Sequence, residues 1–247
     1  MLLSRLSPRG TGTQTCTPVV IEMSGSKILM IDTPGFEDSA RPNWDILDDI
    51  SRTLVAQHLF DVQLKGIIYI QPITDDRVTG GQTTTFEIMQ RICGLRAFES
   101  VLLVTSRWSS TQRSEDKQFK KEGVLMNKYW AKMLAAGATM SRFYDSTDSA
   151  IALVSQLLRQ ESVVVDLQRE LMGGQQTLKK TQAGEYVMKT DNRKASRSHD
   201  VRSEVEKALK TLAPNWKVAV ARGVPFVVCF TQFLLSLLGV PVPWAIC

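Results

Sequence analysis

Ile28-Leu29-Met30-Ile31-Asp32-Thr33-Pro34-Gly35 is the stretch on which the reading of this chain turns. Its first four residues make an apolar strand. An aspartate arrives at the carboxyl end of that strand, and Thr-Pro-Gly then turns the chain at once. An Asp-Thr-Pro-Gly sequence also serves as an ordinary turn, so the neighbouring segments have to decide its meaning.

Upstream, Val19 to Met23 is a second short apolar run, separated from Lys27–Ile31 by Ser24-Gly25-Ser26, and the pair predicts a hairpin. Downstream, Ile46, Leu47, Ile50, Leu54, Val55 and Leu59 recur at helical spacing over Asn43 to about Phe60. Gly66-Ile67-Ile68-Tyr69-Ile70 predicts a buried strand ending in a polar loop through Gly80-Gly81. Phe86, Met89, Ile92 and Cys93 predict a helix that stops at Gly94, and Val101–Val104 a further buried strand. Glu115 to about Ala136 predicts one long charged helix, Arg142-Phe143-Tyr144 a last short strand, and Ala150 to about Leu171 a final helix. Apolar strands alternating with helices imply a mostly parallel sheet covered on both faces, a three-layer α/β domain.

In that setting Asp32 acquires a chemical reading. At the end of such a strand a carboxylate can hold Mg²⁺ through water while the Gly35 amide meets a γ-phosphate, with Thr33 and Pro34 shaping the turn. Thr17, just before the hairpin, stands where a hydroxyl would join the metal, although Thr11, Thr13 and Thr15 compete for the role. Thr105, in Val104-Thr105-Ser106-Arg107-Trp108, ends the strand whose following loop would meet a base. The reading requires Asp32 to face a cleft large enough for an anion.

Asp32-Thr33-Pro34-Gly35-Phe36, Gly66-Ile67-Ile68-Tyr69 with Asp75-Asp76-Arg77, Leu103-Val104-Thr105 with Trp108, and Tyr129-Trp130 with Met133 together resemble the G-domain proteins of fungi that are similar to septins and to immunity-associated (AIG-type) nucleotide-binding proteins. The resemblance runs in order from Thr11 to Leu171. It implies a P-loop NTPase-like G domain that binds GTP or GDP with Mg²⁺, hydrolyses GTP by phosphoryl transfer to water, and often self-associates or meets membranes.

Two departures bear on function. The phosphate loop Gly-x-x-x-x-Gly-Lys-Ser/Thr is absent, since neither Gly10-Thr11-Gly12 nor Gly80-Gly81 is followed by Lys-Ser/Thr. The family places that loop before residue 1, so the chain is expected to be an N-terminally truncated G domain lacking its first strand, loop and helix. The base-recognition box is degenerate as well. Ser109 cannot accept the two hydrogen bonds that an aspartate takes from guanine. Ser149-Ala150 either echoes the last base loop or belongs to a helix cap at Asp148 or Ser149. No catalytic base can be named. The missing strand would be central, between those ending at Ile31 and Ile70, leaving two rows of backbone groups without partners. Closure of the sheet, instability, or a borrowed strand would follow, and Pro225 to Phe230 is a segment able to fill the slot.

The rest of the chain sets the alternatives. The 247 residues carry 30 Lys+Arg against 25 Asp+Glu, a formal charge of +5. The basic residues from Lys179 to Lys217 alternate with acidic ones, which argues against nucleic-acid binding. Four scattered cysteines and two histidines exclude a metal framework and suit a reducing, cytoplasmic setting. Three regions are expected: a partial G domain over 1–172, a basic linker and amphipathic helix over 173–215 (apolar at Val201, Val205, Ala208, Leu209 and Leu212), and an apolar tail over 216–247. The helix would dock on the domain, on a partner, or on anionic lipid. The tail, Val224 to Ile246, reads either as membrane contact or as a buried segment. A helix of about 16 residues there reaches only about 24 Å, short of a ~30 Å hydrocarbon core. The function expected is therefore a GTP-binding G domain with impaired nucleotide binding. The alternative is a non-catalytic membrane-associated or protein-interaction module on a degenerate scaffold.

Overall fold

The computed structural model describes residues 15–23, 25–36, 41–74, 78–109, 111–173, 177–191, 200–211 and 226–230. The predicted hairpin forms: β1 (Thr17–Met23) pairs antiparallel with β2 (Ser26–Asp32), in a register that sets Thr17 against Asp32 and Met23 against Ser26. Gly25, at φ +75°, supplies the left-handed turn residue. Then follow α1 (Asn43–Leu59), β3 (Leu64–Pro72), α2 (Gly80–Cys93) and β4 (Val101–Ser106). Gly80 and Gly81 are the first turn of α2 rather than a loop. Thr79 Oγ1 accepts from the Gln82 amide while Gln82 Oε1 accepts from the Thr79 amide, a reciprocal cap that outweighs the poor helix propensity of glycine.

The long helix expected over 115–136 is interrupted. It runs as α3 (Gln112–Val124), a wide turn at Leu125–Tyr129, and α4 (Ala131–Ala135). Within the wide turn the Trp130 amide reaches back to Leu125 O at 2.7 Å. The indole is thereby buried against Tyr69 and Phe86, with ring centroids 6.5 and 6.4 Å away. β5 (Thr139–Arg142) starts three residues before the predicted strand, and Phe143 beyond it is fully buried. The final predicted helix divides into α5 (Thr147–Leu158) and α6 (Asp166–Met172), because the β-branched run Val163-Val164-Val165 between them is extended and the Val163 amide bonds Leu64 O at 2.8 Å.

The sheet has the order β1-β2-β6-β3-β4-β5, and its centre is β6 (Phe226–Phe230). This strand lies parallel to both neighbours, with Asp32 opposite Cys229 on one side and Tyr69 opposite Phe230 on the other. The slot between β2 and β3 is thus filled by a borrowed strand from the apolar tail. The start of that tail is extended rather than helical, so the ~16-residue helix expected from Pro225 does not form as such. The unbroken apolar sequence Phe-Val-Val-Cys-Phe suits a parallel strand between two neighbours.

One face of the sheet packs on α1, α2 and α6 through Ile31, Ile67, Tyr69 and Leu103. The same core takes in Leu178, then Ala183 and Val187 of α7 (Gln182–Thr190), then Val201 and Val205 of α8 (Val201–Thr211). Within the region expected as linker and helix over 173–215, the described stretches 177–191 and 200–211 thus share the domain's core. The apolar stripe of α8 docks on α1, where Arg52 and Glu204 pair at 2.7 Å, and Arg202 donates to Met172 O at 2.9 Å. The other face packs on α5 through Ile68, Leu102, Val104 and Phe143. Among the described residues no helix is long and apolar enough to cross a membrane.

Candidate functional site

The site expected from the sequence lies at the carboxyl edge of the sheet, where β2, β6, β3 and β4 all end. Thr17 and Asp32 are direct partners in the β1–β2 ladder, a placement that brings their Cβ atoms to within about 5.5 Å. The two proposed metal ligands are neighbours, because the hairpin register allows no other arrangement of its buried face. The Thr17 hydroxyl donates to Thr15 O at 3.1 Å.

Asp32, Thr33 and Pro34 are buried, Asp32 being 6% exposed, while Gly35 is exposed. The carboxylate is thus covered rather than presented to a cleft, contrary to what the sequence reading required. The Cys16 thiol, one residue before Thr17, feels the charges of Asp49, Arg41 and Asp32. Arg41 pairs with Asp49 at 2.9 Å. Burial, aided by the Asp49 and Asp32 charges and opposed by a hydrogen bond with Thr53, pushes the Cys16 thiol up to about 12. No group of three or more His, Cys, Asp or Glu able to hold a metal occurs among the described residues. Mg²⁺, which takes one or two protein oxygens and draws the rest from water and phosphates, would rest here on Asp32 and Thr17. Gly35 has no atom within 4 Å of an added Cβ, so packing does not demand glycine there.

Thr105 sits elsewhere along the same edge and is fully buried. Its hydroxyl donates to Glu122 Oε1 at 3.2 Å and accepts from Trp108 Nε1 at 3.2 Å. Glu122, on α3, is also gripped by Arg142 of β5, whose Nε reaches Oε1 at 2.9 Å and whose terminal nitrogen bonds Oε2. The Arg142 guanidinium in turn lies 4.6 Å from the Trp108 ring centre and 4.8 Å from that of Phe119. A ligand can meet this position only through the following loop, 107–109. Gln118 holds that loop by accepting from the Ser109 amide at 3.0 Å and donating to Arg107 O at 3.2 Å. Sequence reasoning missed Glu122 and Arg142. The available signal was a glutamate in register with Leu125 and Tyr129 on the apolar stripe of a helix, since an unpaired carboxylate does not stay buried. Ser149 does not cap α5. Ser146 does so, accepting from the Ser149 amide at 3.2 Å, and Ser149 Oγ accepts from the Tyr144 amide.

A separate cleft of about 800 Å³ opens between α3 and the ends of β3 and β4. Lys117, Lys120 and Lys121 line it together with Ile73, Val78 and Tyr129, and none of Asp32–Gly35 contributes to it.

The strand order, with its single antiparallel edge and its helices on both faces, defines a three-layer α/β domain with a mostly parallel sheet and β6 in the central place. No protein-family model matches the chain, and no curated protein matches it. Among solved structures it is similar to Toc33 from Arabidopsis thaliana in complex with Mg²⁺ and GMPPNP, at 16% identity and a TM-score of 0.48 over 66% of this chain and 78% of that one. A dimerization-deficient mutant of Toc33 gives 17% identity and the same TM-score and coverage.

Proposed function

We propose that the chain is a GTPase-family G domain in which nucleotide binding is impaired. The observation that carries the reading is the pairing of Thr17 with Asp32 at the carboxyl edge of a sheet of this order, followed by a glycine that packing does not require. Mg²⁺-GTP is the ligand proposed for that edge, with Asp32 and Thr17 toward the metal, the Gly35 amide toward the γ-phosphate, and the loop after Thr105 toward the base. Mg²⁺ would neutralise phosphate charge there; the chain's own part is to position it.

Two features support impairment. Asp32 is covered. The central strand is followed by Thr231-Gln232-Phe233, with neither the glycines nor the lysine that grip phosphates. The covered carboxylate also favours the second reading, a protein-interaction module that keeps the scaffold without the ligand, and self-association is the interaction proposed for either. Calorimetric titration of the full chain with Mg²⁺-GTP separates the two. Weak heat that vanishes in Asp32→Ala supports the G-domain reading, whereas silence in the wild type leaves the interaction module.

A further inference from the structure

The cleft between α3 and the ends of β3 and β4 takes no part in the Thr17–Asp32 edge, yet it has the size and charge of a binding site. Its volume is about 800 Å³, within the range of pockets that accept specific ligands. Lys117, Lys120 and Lys121 line it, and none of its described lining residues is acidic. Lys117 and Lys120 are exposed, and neither has an ion-pair or hydrogen-bond partner among the described residues. The walls are held without them. Lys121 Nζ reaches Pro72 O at 3.5 Å, the Ile73 amide donates to Ser106 O at 2.9 Å, and Gln118 fastens the loop 107–109. The cleft is therefore preformed, and its two outer ammonium groups stay available to an anionic partner.

We propose that this cleft docks a short extended segment of a partner protein, one with two acidic side chains two residues apart and an apolar side chain two residues further on. The spacing follows from α3. Ser114, Lys117, Lys121 and Val124 stand on successive turns of the wall, and ten steps of about 1.5 Å make it about 15 Å long. An extended chain covers that length in about four or five residues, at about 3.3 Å each. Lys117 and Lys120 lie about 4.5 Å apart along the helix axis, against about 6.6 Å between alternate side chains of the segment, a difference that flexible lysine stems absorb. Beyond the lysines the wall turns apolar: Val124 is 47% exposed, and Tyr129 follows it after the wide turn. The hydroxyls of Thr74 and Ser114, also in the lining, suit the backbone of the docked segment.

The same features disfavour other anions. A lone phosphate at the start of a helix is held chiefly by backbone amides. Here the Ser109 amide is taken by Gln118 Oε1 and the Thr111 amide by Ser109 Oγ. A bilayer presents a flat surface, which does not enter a concave cleft. The proposal goes beyond nucleotide binding and does not depend on it, since none of Asp32–Gly35 lines the cleft.

The test measures fluorescence anisotropy of the full chain with fluorescein-labelled Asp-Ser-Asp-Ser-Leu and with the reversed sequence Leu-Ser-Asp-Ser-Asp. Saturable binding of at least one peptide is expected. It weakens roughly three- to fivefold in each of Lys117→Ala and Lys120→Ala, and roughly tenfold when serine replaces the leucine of the peptide. Both lysines lie at the surface, so the circular dichroism of the variants is expected to match that of the wild type. Absence of saturable binding by either peptide, binding indifferent to both lysines, or equal displacement by inorganic phosphate at matched ionic strength overturns the proposal. Flotation with phosphatidylcholine–phosphatidylserine vesicles is the companion measurement. If vesicle binding needs the two lysines while neither peptide binds, they serve a lipid surface and the proposal falls.

Discussion

Thr105 of β4 and Glu122 of α3 meet at 3.2 Å inside the domain, and Arg142 of β5 closes on the same carboxylate while lying against the rings of Trp108 and Phe119. The cluster ties the end of one strand to a helix and to the edge strand beyond. Glu122 is buried and Arg142 only half-buried, so removing the guanidinium strands a carboxylate away from water. Arg142→Ala is expected to destabilise the chain by about 2 kcal/mol. Arg142→Lys restores little of this, because an ammonium neither forks onto both oxygens nor stacks on the indole. Urea denaturation of the three proteins checks both statements.

Gly94 ends α2 at φ +70°, and an added Cβ there would lie 1.8 Å from Asp166 Oδ2. Gly94→Ala combines left-handed strain with a clash against the first turn of α6, and a loss of about 2–4 kcal/mol is expected. Asp166→Ala in the same background removes the clash with the carboxyl group but keeps the Cβ that lies 2.6 Å away, and it leaves the strain, so it recovers only part of the loss. Thermal unfolding of the single and double variants measures the division.

Much of the layer order was legible because it rests on period and punctuation. The hairpin, α1, the strand at Ile67–Ile70 and the helix before Gly94 all announce themselves by apolar spacing, the last also by its terminal glycine. What escaped depended on contacts distant in sequence. Thr139–Arg142 has no apolar run, since it is an edge strand of half-buried residues, and the apolar signal falls on Phe143 instead. The wide turn at Leu125–Tyr129 exists to bring Trp130 onto Tyr69, which lies 61 residues away by their numbers. At the candidate site, spacing located Thr17, Asp32 and Gly35 along the chain. It could not show that Asp32 would be covered, because burial at a sheet edge depends on residues brought there from elsewhere in the chain.

The central position of β6 makes a sharp demand on Val227, which is fully buried between β2 and β3. Val227→Asp puts an unpaired charge in the middle of the sheet, where no partner can reach it. The variant is expected to be unfolded or aggregated at temperatures at which the wild type is native, as judged by circular dichroism and size-exclusion chromatography. Val227→Ala is the graded control, with a loss of about 1–3 kcal/mol from the shed methyl groups and the gap they leave. Were 226–230 a detached apolar tail, both substitutions would leave the unfolding curve in place.

The Cys16 thiol gives the site edge a pH signature. Burial raises it from 9.0 to about 12 in the folded chain, with the Thr53 hydrogen bond and Arg41 acting the other way. A thiol whose folded value lies above its unfolded one holds its proton more tightly when native. Its contribution to stability is therefore complete below about pH 9 and is lost progressively as the pH climbs toward about 12, at up to roughly 1.4 kcal/mol per unit. Cys16→Ser and Cys16→Ala each remove this thiol's share of that slope, since neither side chain titrates in this range. Urea midpoints of the wild type and the two variants between pH 8 and about pH 10.5 read the difference, with wild-type and Cys16→Ala curves expected to diverge only above about pH 9. In the same range, per-site alkylation followed by mass spectrometry should find Cys16 slow to react in the native chain and fast in urea, because the thiolate is the nucleophile.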